Sequence, residues 1–346
     1  MKRLVSILVV AVMVFALSAC GDDRPVLKVY NAGEYIDTSL LSDFENEFEC
    51  NVIYETFDSN ESMYTKVMSG EKYDVIIPSD YMIERLAKEG FLQEIDASKI
   101  PNYGNVIPSL LNRPFDSESS YYVPYFWGSV GILYDKTVVS EEDIKEGWDI
   151  LKNPKYAGDI YMYDSERDSF MIALKALGYS MNTSDKAELD AAYSWLIEQN
   201  EIMDPVYVGD EVIDSMISGN KSIAIVYSGD AAYIMSENEN LEYYEPETGT
   251  NTWIDGMVIT KDSTSVGLAH AFINFMLRDE VAFANSEAVG YTSSNQAVFD
   301  ELKTTVYAGN SAYNPRQGGE GDEFFRYQDA ETKKYCAELW TKVKSQ

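Results

Sequence analysis

The sequence predicts an α/β protein made of two lobes, and three observations carry that prediction. Short apolar strands alternate with amphipathic helices. The alternation runs in two separate series, and after Asp255 a further strand and helix follow with no linker-like stretch. Length agrees, because the about 325 residues left after removal of the N-terminal segment suggest two domains rather than one. A content of 45% hydrophobic and 13% aromatic residues supplies ample core.

The first series opens with a strand over residues 27–30, a helix over 38–48 and a strand over 52–55. Residues 63–68 read as a helix ending at Gly70, 74–77 as a buried strand stopped by Pro78, and 81–88 as a helix ending at Gly90. The second series has a strand over 160–163 and a helix over 168–177 before Gly178. A helix over 185–199 behind a Ser184 cap and a strand over 222–226 follow. A strand over 257–260 and an apolar-faced helix over 267–277 come next.

At the N-terminus, Lys2 and Arg3 precede an apolar run over residues 4–17 that small residues and a cysteine close, the order of an export signal. The run is shorter than the roughly 20 residues that cross a bilayer as a helix. Leu17-Ser18-Ala19-Cys20 resembles the bacterial lipoprotein signal, so residues 1–19 are expected to be a signal peptide and Cys20 the lipid attachment site. Residues 20–26 form a short polar tether. Only Cys50 and Cys336 remain, too few for a disulfide framework.

The chain has 27 bases against 58 acids, a formal charge of -31. Nucleic acid is excluded as a partner by that balance, whereas cations are drawn to it. Enzymatic readings are weak. The single histidine, His270, lies inside a helical run away from any strand end, and neither GxxxxGK[ST] nor GxGxxG occurs. Paired carboxylates say little in a chain this acidic. No catalytic residue, metal or cofactor is expected.

Ligands in open α/β sheets sit beyond the carboxyl ends of strands. The segments there are polar and aromatic: residues 31–35, Ser79-Asp80-Tyr81, residues 164–168, residues 227–230, and Trp253-Ile254-Asp255 before another strand. Carboxylates pair with ammonium groups, and aromatic faces line methylenes while adding cation-π attraction of about 0.5 to 2 kcal/mol each. That combination suits an organic cation.

At these segments the chain resembles the periplasmic spermidine/putrescine-binding proteins of bacterial ABC transporters, the PotD-like group of type II solute-binding proteins. The resemblance runs through Tyr30-Asn31-Ala32-Gly33-Glu34-Tyr35-Ile36, Ser59-Asn60-Glu61-Ser62-Met63-Tyr64, Tyr73-Asp74-Val75-Ile76-Ile77-Pro78-Ser79-Asp80-Tyr81 and Val123-Pro124-Tyr125-Phe126-Trp127-Gly128. It continues through Trp253-Ile254-Asp255 and Gly290-Tyr291-Thr292 to Leu339-Trp340-Thr341-Lys342 near the C-terminus.

The resemblance implies a two-lobed type II periplasmic-binding-protein-like fold, each lobe a mostly parallel sheet flanked by helices, with the ligand cleft at the hinge. Lobe one is expected over residues 27–128 plus 256–299 and lobe two over 129–255 plus 300–346. Carried over by position, Asp255 takes an inner ammonium group, Glu34 one end of a polyamine, and Asp168 with Ser165 the other. Ser79 and Tyr81 add polar contacts, and Trp253, Tyr227, Tyr35 and Tyr291 form an aromatic box. Gly33, Asp80, Gln328 and Asp164 are secondary candidates, Asp164 in case the register slips. Three departures stand out: Ala32 and Gly33 replace a tryptophan and a threonine, Tyr227 replaces a tryptophan, and Arg326 falls where a glutamine is usual. The implied partners are a small organic cation and the permease of an ABC importer. The implied state is a monomer held at the membrane by its lipid alone.

Overall fold

The computed structural model describes residues 23–316 and 318–345. The expected signal peptide and Cys20 lie outside the described residues.

Among the described residues ten strands form the frame: β1 (Val26–Ala32), β2 (Asn51–Phe57), β3 (Val75–Ile76), β4 (Val123–Asp135), β5 (Ile160–Tyr163), β6 (Val206–Val208), β7 (Ile223–Tyr227), β8 (Leu241–Tyr244), β9 (Thr252–Ile259) and β10 (Thr292–Ser293). Their order is β2-β1-β3-β9-β4-β7-β5-β6, with β8 and β10 both pairing β4. One parallel unit is β2-β1-β3 and the other is β7-β5-β6. β9 runs antiparallel to β3 and closes the first, and β4 runs antiparallel to β7 and closes the second. The chain is thus a two-lobed α/β protein.

Strands β4 and β9 pair with each other where the two units meet, in register Phe126 with Asp255, Trp127 with Ile254 and Gly128 with Trp253. The expected lobe limits at 128/129 and 255/256 fall inside these two strands. β4 is buried along all but its last residue, in keeping with its nearly unbroken apolar sequence. Gly128 is required there, since a Cβ would lie 2.3 Å from Ser228 Oγ and 2.5 Å from the Trp253 ring.

Most expected elements occur with ends moved by a few residues, and two differ in substance. The strand expected over 257–260 is only the second half of β9, so Trp253 and Asp255 lie within a strand rather than ahead of one. The Asp and Gly in that stretch read locally as a turn, but pairing with β4 overrides their weak strand preference. The second-series helix is Lys186–Met203, and its cap is Asp185, whose side chain accepts from Ala187 N–H at 2.7 Å, not Ser184.

Helix Val266–Met276 packs on helix Ser39–Phe48 and on β9, which returns the chain to the first lobe. The C-terminal helix Ala330–Val343 packs on Lys186–Met203 and Glu166–Ala176 in the second. His270 is buried and structural: Nε2 accepts from Asp96 N–H at 3.0 Å and Nδ1 lies 2.8 Å from Val266 O. Cys50 and Cys336 are separate buried thiols.

Candidate functional site

The C-terminal ends of the parallel strands and the middle of β9 bring a set of acids and rings together. Ser79 precedes helix Asp80–Lys88 and exchanges two hydrogen bonds with Asn60, Asn60 Nδ2 donating to Ser79 Oγ (3.0 Å) and Ser79 N–H to Asn60 Oδ1 (3.1 Å). It also bridges to Asp255 on β9. Asp255 Oδ2 accepts from the Tyr35 hydroxyl at 2.7 Å. Asp80, fully buried, accepts from Tyr81 N–H (2.6 Å) and more distantly from Ile254 N–H (3.4 Å).

From the second lobe, helix Glu166–Ala176 starts at its Ser165 cap, whose Oγ accepts from Asp168 N–H. Asp168 Oδ2 accepts from Tyr227 at 2.8 Å, while its Oδ1 is buried without a partner. Asp230 accepts from two hydroxyls, Tyr163 at 2.7 Å and Tyr291 at 2.8 Å. The rings form one connected row. Tyr35 meets Tyr291 (5.1 Å between centroids), Tyr291 meets Trp253 (5.6 Å), Trp253 meets Tyr227 (6.3 Å) and Tyr227 meets Tyr163 (4.9 Å). Trp253 Nε1 has no partner either.

Among the described residues only neutral donors bond directly to Asp168, Asp230 and Asp255, and burial therefore controls their acidity. Burial raises the pKa of Asp255 and of Asp168 above the usual carboxylate range, and that of Asp80 well above it, the Asp255 charge adding to the last. Burial pushes Asp230 up to about 6. The cation that approaches is Arg167, stacked 3.8 Å over the Tyr81 ring and 3.8 Å from Glu61, with Nη1 buried and unpartnered. Tyr81 itself donates to Glu61 at 3.2 Å. The cluster holds more negative capacity than positive.

The structure thus gathers Tyr35, Ser79, Asp80, Tyr81, Ser165, Asp168, Tyr227, Trp253, Asp255 and Tyr291. It does not gather the others. Glu34 is exposed, in left-handed backbone at φ 50, and its charge acts on Tyr54 rather than on the ring row. Gly33 is exposed beside open space. Asp164 is exposed and ion-paired to Lys344 at 2.8 Å, because the helix start at Ser165 sets the register that turns Asp168 inward. Arg326 is committed to Glu84 through Nε (3.0 Å) and Nη2 (2.6 Å), and Gln328 follows it half-buried. Burial would raise Glu84, but Arg326, Lys88 and Tyr327 N–H hold it down at about 2.

Tyr163 and Arg167 were not singled out from sequence, and Asp230 was read only as the end of the segment 227–230, with no role of its own. Asp230 had a legible signal: it stands three residues after Tyr227 in the first turn of helix Ser228–Glu237, a spacing that puts two side chains on one side. Among the described residues no group of three His, Cys, Asp or Glu is arranged to hold a metal ion, and no helix is long and apolar enough to cross a membrane.

The model of bacterial extracellular solute-binding proteins matches residues 70–307. The chain belongs to that family. A model of hypothetical lipoproteins matches residues 1–104. The spermidine/putrescine-binding periplasmic protein of Escherichia coli is 33% identical to this solute-binding protein over 300 residues, covering 86% of this chain and 85% of the relative. The putrescine-binding periplasmic protein SpuD of Pseudomonas aeruginosa is 28% identical over 342 residues, 93% of either chain. Among solved structures, PotD, the substrate-binding protein of a spermidine/putrescine ABC transporter from Streptococcus pneumoniae, superposes with a TM-score of 0.81. Its identity is 37%, over 93% of this chain and 99% of that one. These relatives are named for binding and transport rather than catalysis.

Proposed function

We propose that this protein is the exported, lipid-anchored receptor of an ABC importer, which captures a polyamine between its lobes and presents it to the permease without changing it chemically. One observation carries the reading: buried carboxylates with raised pKa converge on a row of aromatic rings, and one of their oxygens, Asp168 Oδ1, has no donor. A ligand that supplies ammonium donors and apolar methylenes satisfies both features. Asp255 takes an inner ammonium group, and Asp168 with Ser165 takes one end. Tyr35, Tyr291, Trp253 and Tyr227 cover the methylenes. We add Asp230 to this set, and place Glu34 at the open rim beside Gly33. The names of the relatives support spermidine or putrescine as the cargo.

The proposed lobes, 27–128 with 256–299 and 129–255 with 300–346, open about β4 and β9, and the closed monomer is the form the permease meets. Calorimetric titration of ligand-stripped protein with putrescine, spermidine, spermine and agmatine tests the reading. Heat from at least one is expected, with the amine recovered at unchanged mass. No heat from any of the four would sink the assignment.

The raised pKa of Asp230 has a definite sign. The ligand-free fold holds this proton up to about pH 6, while the unfolded chain loses it near about pH 4. Its contribution to stability is full below the lower value and is lost as pH rises through the higher. Ligand ammonium demands the ionised form, so affinity moves the other way. From about pH 7 to about pH 5 polyamine affinity falls, and Asp230→Asn flattens that fall. Titrations across this range check it, and a wild-type affinity constant over the whole range would count against Asp230.

For the anchor, Cys20→Ala is expected to move the protein from the membrane fraction to the soluble exported fraction. Unchanged membrane retention on fractionation refutes acylation at Cys20.

A further inference from the structure

A cavity of about 370 Å³ lies beside the hinge strands, with none of Asp80, Asp168, Asp230 and Asp255 on its walls. Paired residues on antiparallel strands share a face. Trp127 and Ile254, which line the cavity, are one pair, and Phe126 and Asp255 are the neighbouring pair on the opposite face. The walls come from both lobes, residues 109–110 and 113–114 on one side and residues 322–324 with Arg316, Gly318 and Arg326 on the other.

Among the described residues, one wall cation, Arg113, has no carboxylate partner. Arg113 bonds Ser109 O through Nη1 (3.1 Å) and stacks 4.6 Å over the Phe324 ring, yet its Nε is buried without a partner. Both wall acids are taken. Asp322 is gripped by Arg316 through Nη2 (2.6 Å) and Nε (2.9 Å), and Glu323 by Lys175, Ser180 Oγ (2.6 Å) and Met181 N–H (2.9 Å). A ligand that meets Arg113 must therefore bring an acceptor. Arg316 is already paired with Asp322 and Arg326 with Glu84, so the positive charge that the walls offer to a ligand is that of Arg113. The rings of Trp127 and Phe324 add apolar walls, and the size lies within the range of small-molecule sites.

We infer that this cavity is a second binding site, for a small organic anion of the aromatic carboxylate class, with Arg113 as its principal contact. Because both lobes build the walls, occupancy favours the closed arrangement. By reciprocity the anion and the polyamine then strengthen each other's binding. The coupling rests on the polyamine reading, and the cavity itself does not.

Benzoate is the probe. Titrated into the mature chain with and without spermidine, it is expected to bind in both states and more tightly in the loaded one. Arg113→Gln lowers benzoate affinity by about tenfold or more, with spermidine affinity in benzoate-free buffer unchanged, and Phe324→Leu gives a smaller loss. The site is overturned by absence of benzoate binding at millimolar concentration, or by equal binding to wild type and Arg113→Gln. Inorganic phosphate binding as tightly as benzoate would overturn the organic class. Failure of spermidine to bind removes the polyamine reading and the coupling, while benzoate binding to the stripped protein still decides the cavity.

Discussion

Asp255→Asn lowers polyamine affinity by about 30-fold or more, without loss of folding stability. The residue sits in β9 at the junction of the lobes, holds the Tyr35 hydroxyl at 2.7 Å and bridges to Ser79. Truncating one partner of a buried charge-assisted pair costs about 2 to 5 kcal/mol, and each 1.4 kcal/mol is about tenfold. Stability behaves differently. Burial raises the pKa of Asp255, so its ionised form is unfavourable in the ligand-free fold, and its charge also raises Asp80. Asparagine keeps an acceptor for Tyr35 and removes that charge. The melting temperature of the ligand-free mutant therefore stays level or rises at neutral pH. Calorimetry and thermal unfolding on the same sample decide the matter: a folded mutant with wild-type affinity removes Asp255 from the site.

Gly229→Ala is the second large effect. Gly229 lies in the first turn of helix Ser228–Glu237, and a Cβ there would stand 2.4 Å from two carbons of the Tyr291 ring. That ring must move, and with it the hydroxyl that donates to Asp230 and the contacts to Tyr35 and Trp253. Overpacking of this kind costs about 1 to 3 kcal/mol of stability, and displacement of one wall is expected to weaken polyamine binding by about tenfold or more. If the loss runs through Tyr291, adding Gly229→Ala to Tyr291→Ala changes affinity little further, as a double-mutant cycle reads directly. Equal losses in both backgrounds would separate the two residues.

Much of the frame was legible because the signals are local. Apolar runs such as Ile160–Tyr163 and the segment stopped by Pro78 read as strands from their own composition. Gly178, which takes a positive φ of 75 after helix Glu166–Ala176, marks its own turn. β9 was only half legible, since Asp255 and Gly256 carry turn character and are held extended by distant partners, β4 on one side and Pro78-Ser79 on the other. The site divides in the same way. The spacing from Tyr227 to Asp230 was local and could have been used, whereas the two hydroxyls on Asp230 come from residues 67 and 61 positions away.

By itself the sequence determined the α/β class, the two series of elements, and a supply of acids and rings at strand ends, because strand and helix periods and glycine stops act over a few residues. Its motifs also sufficed to show which family it resembles. Only the tertiary structure decided which of those acids meet. Asp255 bonds Tyr35 across 220 residues, Arg326 leaves the cluster for Glu84 across 242, and Glu34 turns to solvent through one left-handed backbone angle. The direction of a side chain depends on backbone angles and on partners brought from distant strands, and neither is encoded in the spacing of residues along the chain.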